Sequence, residues 1–283
     1  MPKLAVIGFP VSHSRSPAMQ GAALREMGLA PQWSYEAVEA SPEDFEATVR
    51  ELAAGDYVGA NVTVPHKEAA LALADRADRE ASAIGAANTL VFDGDEIAAT
   101  NTDAGGLLGA LRAVPSSPTG VKALVLGAGG AARAAIWGLS RAGAVVDVWN
   151  RTFPRAEAVH AELSERGRDA QYGELVRTGG RPEPDPDQSS YGIVVNTTTV
   201  GLRGEDPFQH LPLEPDAFAG QLVVDMVYAE HPSRLLEAAS EGGATVVDGL
   251  EVLVQQGALS LEIWTGRKPD LETMRAAARA RSL

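Results

Sequence analysis

A glycine-rich turn between an apolar strand and a helix constrains the fold of this 283-residue chain more than any other feature. The turn, at positions 127–132, directly follows a predicted strand at Lys122–Leu126. A predicted helix from the turn to about Ala142 then leads to a second strand at Val145–Trp149. Together they form a βαβ unit of the expected length of about 30 residues, which predicts a Rossmann-type domain that binds a dinucleotide.

The residues of this turn have the separate roles that a pyrophosphate requires. Gly127 permits the tight turn, Gly129 lets the backbone approach the pyrophosphate, and Ala132 allows the helix to pack closely on the strand. Amide groups and the dipole at the helix start favour the diphosphate. The cofactor-binding residues predicted in the turn are Gly127, Ala128, Gly129, Gly130 and Ala131.

The end of the second strand predicts which dinucleotide binds. An NAD-binding domain usually has Asp or Glu about 20 residues past the glycine loop. Here Asn150-Arg151-Thr152 occupies that position, with Arg155 one helical turn further on. Arginine attracts a 2′-phosphate and can lie flat on adenine, whereas Asp147 is inside the strand, where a solvated or paired side chain is expected. The pattern therefore favours NADP(H), bound by Asn150, Arg151, Thr152 and Arg155.

Short β-branched runs alternate with helical segments along the rest of the chain, which is typical of an α/β protein with largely parallel sheets. The other predicted strands are Leu4–Phe9, Trp33–Val38, Tyr57–Val64, Leu90–Phe92, Ile193–Asn196 and Leu222–Met226. The other predicted helices are Pro17–Met27, Pro42–Ala53, Lys67–Leu73, Ala104–Ala113 and most of Gly249–Leu283, with a break at Gly266 and Pro269. Residues 178–190 are rich in Pro, Gly and Asp and predict a mobile surface loop without a function of its own.

Composition excludes several classes of function. The net charge of −14 argues against a nucleic-acid partner, because no basic stripe offsets phosphate repulsion. The chain has no cysteine, which removes disulfides, thiolate metal sites and cysteine nucleophiles and fits a reducing compartment. No apolar stretch approaches the ~20 residues of a membrane span. We expect a cytoplasmic protein, monomeric or homodimeric, that binds a small molecule and has no metal site.

Two further motifs bring together the groups of alcohol–ketone chemistry. An extended apolar run from Asn61 ends by presenting Lys67, and the polar turn that begins at Thr100 contains Asp103. An ammonium beside a carboxylate, both facing a bound nucleotide, can move a proton while a hydride moves elsewhere. Isolated polar residues allow a plainer interpretation, because Ser16 before Pro17 is also an ordinary helix cap.

The motifs taken together resemble the shikimate dehydrogenase family in both order and spacing, over essentially the whole chain. Nine segments support the resemblance: 14–17, 61–67, 85–89, 101–103, 127–132, 150–152, 196–201, 225–228 and 255–256. The resemblance implies NADPH-dependent reduction of 3-dehydroshikimate to shikimate, in the pathway to chorismate and the aromatic amino acids. It also implies two α/β domains with a cleft between them. Residues 1–103 plus 248–283 would form the substrate domain, and 104–247 the Rossmann-type NADP domain.

The resemblance also assigns roles to single residues. Ser14 and Ser16 would bind the substrate carboxylate, and Lys67 and Asp103 would form the catalytic pair. The ring hydroxyls would bind to Asn61, Thr63, Asn88 and Gln256. Tyr228, among the substrate residues, and Gly249 would flank the nicotinamide end of the cleft. Thr197 and Val252 complete the cofactor-binding set. Gln20-Gly21, Glu230 and Val252 depart from the usual family pattern, which leaves substrate preference and the nicotinamide pocket open.

Three alternatives remain, apart from an aminoshikimate-type relative, which the sequence does not separate. A quinate or quinate/shikimate dehydrogenase has the same fold and often uses NAD, but two serine hydroxyls at Ser14 and Ser16 and the arginine at Arg151 resemble the shikimate and NADP patterns. A catalytically silent nucleotide-sensing module would be expected to lack Lys67 or Asp103, and both are present. A methyltransferase with the same glycine loop has no phosphate for Arg151 to bind.

Overall fold

A computed structural model of the chain describes residues 1–30, 32–94, 96–166, 172–175, 188–228 and 232–280. The chain divides into two units, one of Met1–Gly106 with Leu253–Leu283 and the other of Leu107–Val252. Each unit has its own sheet and its own hydrophobic core.

The first unit contains a six-stranded mixed sheet. Its strands are β1 (Lys3–Gly8), β2 (Ser34–Glu39), β3 (Tyr57–Val62), β4 (Arg76–Ala77), β5 (Thr89–Asp93) and β6 (Glu96–Thr100). They lie in the order β2-β1-β3-β5-β6-β4. Strand β1 pairs parallel with β2 and β3, and β4 with β6, whereas β5 pairs antiparallel with β3 and β6. Because β1 and β3 run the same way, the segments that follow them emerge at one edge of the sheet.

Among the described residues of Met1–Gly106, five helices begin: α1 (Ser16–Glu26), α2 (Phe45–Ala54), α3 (Lys67–Leu73), α4 (Arg79–Ile84) and α5 (Asp103–Leu111). Alternate residues of the strands, among them Ile7, Val62 and Leu90, are at most 2% exposed and share one core with Phe45 and Val49 of α2. The hydrophobic effect therefore fixes α2 against the sheet, and the polar segments between elements are left at its edges.

The second unit is a parallel sheet of Rossmann type. Its strands are β7 (Lys122–Leu126), β8 (Val145–Trp149), β9 (Tyr172–Leu175), β10 (Ile193–Asn196), β11 (Leu222–Asp225) and β12 (Thr245–Asp248), with helices α6 (Gly130–Arg141), α7 (Phe153–Arg166), α8 (Pro207–His210) and α9 (Arg234–Glu241). The order is β12-β11-β10-β7-β8-β9, and every pairing is parallel. The direction of strand addition reverses between β7 and β10, and ligands of such sheets bind beyond the carboxyl ends of the strands at this point.

Two helices carry the chain across the boundaries between the units. Helix α5 begins at Asp103 and continues beyond Gly106, while α10 (Gly249–Thr265) crosses at Val252, and α11 (Leu271–Arg279) follows it. The boundaries fall inside these helices, whereas the sequence prediction of 1–103 plus 248–283 and 104–247 places them at the helix starts.

The α/β class is confirmed, and most predicted elements occur within three residues of their expected bounds. Strands β4, β6, β9 and β12 and helices α4, α8 and α9 are not anticipated; each has at most eight residues, too few for a clear periodic pattern. Glu230 and positions 178–187 of the predicted loop lie outside the described residues. The loop prediction is wrong at Gln188, which is 2% exposed and accepts from the Glu214 amide through Oε1 at 2.6 Å.

In the described part of the chain, every helix is too short or too polar to cross a membrane.

Candidate active site

Lys67 and Asp103 form an ion pair in the first unit. Lys67 Nζ lies 2.6 Å from Asp103 Oδ2, and the two side chains are 11% and 9% exposed. The sequence places them 36 residues apart, so only the fold brings the groups together. Because both are largely withdrawn from water, their attraction is screened much less than that of a surface pair.

The position of Lys67 depends on the buried histidine before it. His66 Nε2 lies 2.8 Å from the Ala40 carbonyl, and its ring stacks on Phe45 at a centroid distance of 4.3 Å. Burial lowers the pKa of His66, and the contact with the Ala40 carbonyl raises it by less, so the ring favours the neutral state. The Lys67 carbonyl also accepts a bond from the Ala87 amide at 2.8 Å. These contacts fix the backbone from which the ammonium extends.

Asp103 is held by two asparagines. Its amide donates to Asn101 Oδ1 at 3.0 Å, and Asn101 Nδ2 in turn donates to the Ala86 carbonyl at 2.8 Å. Asn88 Nδ2 donates to Asp103 Oδ1 at 2.9 Å. The carboxylate therefore has one oxygen on Lys67 and the other on Asn88, which fixes its orientation.

Asn88 also connects this pair to helix α10. Its Nδ2 lies 3.1 Å from Gln256 Oε1, and its Oδ1 accepts from the Thr102 amide at 2.7 Å. A Cβ on Gly106 would lie 2.5 Å from Gln256 Cβ, so a glycine is needed for α10 to approach α5 this closely. Asn88, Asp103 and Gln256, distant in sequence, thus lie in one buried group with Lys67.

Asn61 lies in the same buried region and donates to the Asn88 carbonyl at 3.2 Å, but its other partners include Tyr35 and Ser260, which the sequence does not predict. Tyr35 donates to Asn61 Oδ1, and Asn61 Nδ2 donates to Ser260 Oγ, each at 2.8 Å. Ser260 Oγ lies 2.9 Å from Thr89 Oγ1 and 3.1 Å from Thr102 Oγ1. Two signals could have found these residues: Thr89 and Thr102 belong to the recognised motifs, and Ser260 is one helical turn beyond Gln256.

The predicted carboxylate ligands lie at the edge where β1 and β3 end. Ser14 Oγ accepts from the Ser16 amide at 3.3 Å, and Ser16 is 4% exposed. The alternative of an ordinary serine cap is not observed, because the N-cap position of α1 is Arg15, whose side chain makes no capping hydrogen bond. Thr63 follows β3, with its amide bound to the Ile7 carbonyl at 2.9 Å. Within the described structure, no hydrogen bond joins these three side chains to Asn88.

The second unit contains the predicted cofactor residues. Gly127 has φ +125°, and a Cβ there would lie 2.4 Å from Thr197 Oγ1, so the site requires glycine. Gly129 is the N-cap of α6, and a Cβ added to it would have no neighbour within 4 Å. The backbone is thus accessible at the start of a twelve-residue helix, as a diphosphate requires. Ala128, Gly130 and Ala131 are half-buried, and Ala132 is in the core as predicted.

Exposed arginines follow the carboxyl end of β8. Arg151, Thr152 and Arg155 are exposed, and Asn150 Nδ2 donates to the Thr152 carbonyl at 2.9 Å. The first turn of α7 contains Arg155 and no acidic residue, although the whole chain is acidic. Two cations at a helix start suit an anion bound there. Asp147 is paired as expected, with Lys122 at 3.1 Å and Tyr191 at 2.8 Å.

The remaining cofactor predictions follow β10, β11 and β12. Thr197 Oγ1 donates to the Leu126 carbonyl at 2.7 Å, which ties its loop to the glycine turn. Tyr228 is half-buried beyond β11, and Gly249 is buried at the start of α10. Val252 is 5% exposed, in the hydrophobic core of its unit. The glycine turn and the arginines thus fit a phosphorylated dinucleotide.

Two segments of the chain match known families. Residues 6–90 match the shikimate dehydrogenase substrate binding domain, and residues 249–279 match the shikimate 5′-dehydrogenase C-terminal domain. A curated relative from Methanopyrus kandleri, named shikimate dehydrogenase (NADP(+)), is 41% identical over 278 residues, which cover 97% of this chain and 93% of the relative.

Solved structures agree with these matches. The shikimate 5-dehydrogenase of Thermus thermophilus, solved with NADP(H) and shikimate, has a TM-score of 0.84 at 39% identity and covers 99% of both chains. A 5-ketofructose reductase of Gluconobacter has a TM-score of 0.83 at 30% identity, over 98% of this chain and 97% of that one. The same fold therefore serves the reduction of more than one ketone.

Proposed function

The chain belongs to the shikimate dehydrogenase family, and we propose that in it Lys67 and Asp103 carry the proton transfer of the reaction. The reaction is the NADPH-dependent, reversible reduction of 3-dehydroshikimate to shikimate in the shikimate pathway. One observation supports the assignment of the pair above all others: Lys67 Nζ lies 2.6 Å from an Asp103 carboxylate that Asn88 also binds.

NADPH, when bound, supplies the hydride that reduces the carbonyl carbon of the substrate. As negative charge develops on the carbonyl oxygen, the Lys67 ammonium stabilises it and donates a proton to it. The neutral amine then regains a proton from solvent. In the oxidising direction, the neutral amine accepts the hydroxyl proton instead.

Asp103 directs the ammonium and binds the substrate. Its Oδ2 accepts from Lys67, which limits the positions that Nζ can take. A carboxylate has about four lone-pair sites, so Asp103 can also accept from a substrate hydroxyl. Asn88, at 2.9 Å from Oδ1, keeps the carboxylate from rotating.

The substrate-binding residues fall into two groups. Asn61, Thr63, Asn88 and Gln256 supply amide and hydroxyl groups for the ring hydroxyls, with Tyr228 as a further substrate residue. Ser14 and Ser16 supply two hydroxyls for the carboxylate. Ser14 Oγ already accepts a hydrogen bond from the Ser16 amide. Its hydroxyl hydrogen can therefore be donated to the substrate carboxylate.

The cofactor residues form three groups, which bind the pyrophosphate, the adenosine end and the nicotinamide end of NADP(H). The backbone of Gly127–Ala131 binds the pyrophosphate, with Thr197 beside it. Asn150, Arg151, Thr152 and Arg155 bind the adenosine end and its 2′-phosphate. Gly249 and Val252 lie with the nicotinamide end. A cytoplasmic location and a monomeric or homodimeric state stay predictions.

Initial rates test the proposal and the quinate alternative together. Purified protein is assayed with shikimate and with quinate, each against NADP⁺ and NAD⁺. We expect the highest kcat/KM with shikimate and NADP⁺. A higher kcat/KM with quinate, or equal use of NAD⁺, would favour a quinate/shikimate dehydrogenase, and no turnover of either substrate would favour the nucleotide-sensing module.

A further inference from the structure

Asp225 is a buried carboxylate at the carboxyl end of β11 that the proposed reaction does not use. It is 1% exposed. Oδ1 accepts from Asn196 Nδ2 at 2.9 Å and from the Val227 amide at 3.0 Å, and Oδ2 accepts from the Ser233 hydroxyl. All three donors are neutral, so burial raises the pKa of Asp225 to about 6 even though each bond lowers it. A buried carboxylate of this kind is costly to keep.

The three donors come from three separate segments. Asn196 ends β10, Val227 is in the loop beyond β11, and Ser233 is the N-cap of α9, where its hydroxyl also accepts from the Leu236 amide at 3.3 Å. Asp225 therefore joins the loops that follow two neighbouring strands to the start of a helix.

The contact with Asn196 extends to the loop that carries Thr197. Asn196 Oδ1 accepts from the Thr198 amide at 3.0 Å and from Thr198 Oγ1 at 2.7 Å. The next contact is that of Thr197, whose amide and hydroxyl both donate to the Leu126 carbonyl, directly before the glycine turn. Hydrogen bonds, together with the backbone of residues 196–198, thus connect Asp225 to the edge of the glycine turn.

A fourth segment lies against the backbone of Asp225. A Cβ on Gly249, the first residue of α10, would lie 2.6 Å from the Met226 carbonyl oxygen and 3.0 Å from that of Asp225. The start of α10 therefore depends on the course of the chain at Asp225 and Met226. Charged groups near this point are Asp248, opposite Asp225 in the register of β12, and Arg234, whose guanidinium lies 3.1 Å from Asp206. Glu251 donates its amide to Asp248 at 2.9 Å.

The strand order shows which half of a dinucleotide these segments face. The arginines that suit the adenosine phosphate follow β8, on one side of β7, and β10 and β11 lie on the other side. A dinucleotide bound across this reversal point has its second half over the ends of β10 and β11. For NADP(H), that half is the nicotinamide nucleotide.

We propose that Asp225 is a positioning residue that holds the segments after β10 and β11 and the start of α10 in the arrangement that the nicotinamide half of NADP(H) needs. This role rests on the proposed function, because it assumes that NADP(H) binds to this unit. Asp225 acts through Asn196, Val227 and Ser233 and does not itself contact the cofactor.

Two ligands separate this role from a general loss of structure. NADPH binding is titrated by its fluorescence, and binding of adenosine 2′,5′-bisphosphate, which lacks the nicotinamide half, by calorimetry. Asp225→Ala is expected to raise the Kd for NADPH about tenfold or more, because bonds to a charged group are lost. The Kd for the bisphosphate stays within about twofold. Asp225→Asn keeps an acceptor for Asn196 and Val227 and should recover much of the NADPH affinity.

Asp147→Ala is the matched control, since Asp147 is 2% exposed and hydrogen-bonded in the same sheet. It should lower stability and leave both affinities unchanged. If Asp225→Ala does not fold, Asn196→Ala must show the same selective loss.

The inference would be overturned if Asp225→Ala or Asn196→Ala weakened the binding of NADPH and of the bisphosphate equally. Unchanged NADPH affinity in these variants would overturn it as well. If the unmodified protein fails to bind NADPH, the proposed function itself is wrong.

Discussion

Asn88 Nδ2 lies 2.9 Å from Asp103 Oδ1, so the carboxylate that binds the Lys67 ammonium is itself held from the start of β5. This contact makes the ion pair a fixed pair and not two mobile side chains. A positioned acid–base group is far more effective than one that must find its orientation at each turnover.

Asn88→Ala should therefore reduce turnover although the ion pair remains. A hydrogen bond to a charged group contributes about 1.5–3 kcal/mol, so we expect kcat with shikimate to fall by about tenfold or more. Gln221→Ala is the control, because Gln221 is also a buried amide and donates to the Gln188 carbonyl at 2.7 Å outside this site. An Asn88→Ala enzyme with unchanged kcat would show that Asp103 needs no second support.

Lys67→Ala should have the largest effect on the chemical step. Loss of a positioned acid–base group lowers kcat by about 10²–10⁴-fold, and we expect little change in KM. Lys122→Ala removes a different lysine–aspartate pair, at 3.1 Å, and serves as the control for stability. Steady-state rates with shikimate and NADP⁺ measure both. Retention of most of the turnover by Lys67→Ala would remove this residue from the mechanism.

Replacing Arg151 and Arg155 by alanine should change cofactor preference. Each arginine can form charge-assisted bonds to a 2′-phosphate, so the KM for NADPH should rise by about tenfold or more, while that for NADH should stay nearly constant. Arg166→Ala, at the far end of α7, is the control. Equal loss with both cofactors would mean that the two arginines do not recognise the phosphate.

Gly129→Ala separates cofactor binding from folding. Its φ is −100° and an added Cβ meets nothing within 4 Å, so stability should stay nearly unchanged. The methyl group would occupy the space where the backbone approaches the pyrophosphate, so the Kd for NADPH should rise. Gly127→Ala, with φ +125° and a clash with Thr197, should instead unfold at lower temperature. Thermal unfolding and NADPH titration of both variants measure the difference, and full NADPH affinity in Gly129→Ala would exclude the turn as the binding loop.

Asp225 should make stability depend on pH in a defined direction. Burial raises its pKa from 3.8 to about 6, so the folded state binds more protons than the unfolded state between these values. The contribution of protonated Asp225 to stability is therefore complete below about pH 4, and it is lost as the pH rises to about 6. Across this pH range, the free energy of unfolding of the wild-type protein should fall by about 3 kcal/mol relative to that of Asp225→Asn. Urea unfolding of both proteins at several pH values measures it, and a constant difference would contradict the assignment.

Local patterns explain which parts of the fold the sequence predicts well. The βαβ unit from Lys122 to Trp149 is contiguous, and its glycines are needed by the turn itself, so its bounds follow from neighbouring residues alone. Strand β6 is missed because its sequence, Glu96–Thr100, has a single large apolar residue, Ile97. It is a strand because β5 and β4 pair with it, and pairing partners cannot be read from five residues.

The sequence by itself determined which chemical groups are available: the lysine, the carboxylate, the glycine turn and the arginines that follow β8. Tertiary structure alone decided that Asn88, Asp103 and Gln256 form one hydrogen-bonded group and that Tyr35 and Ser260 support Asn61. The physical reason is that a hydrogen bond depends on distances of a few tenths of an ångström and on direction. Those are set by the packing of elements far apart in sequence, not by the residues next to each group.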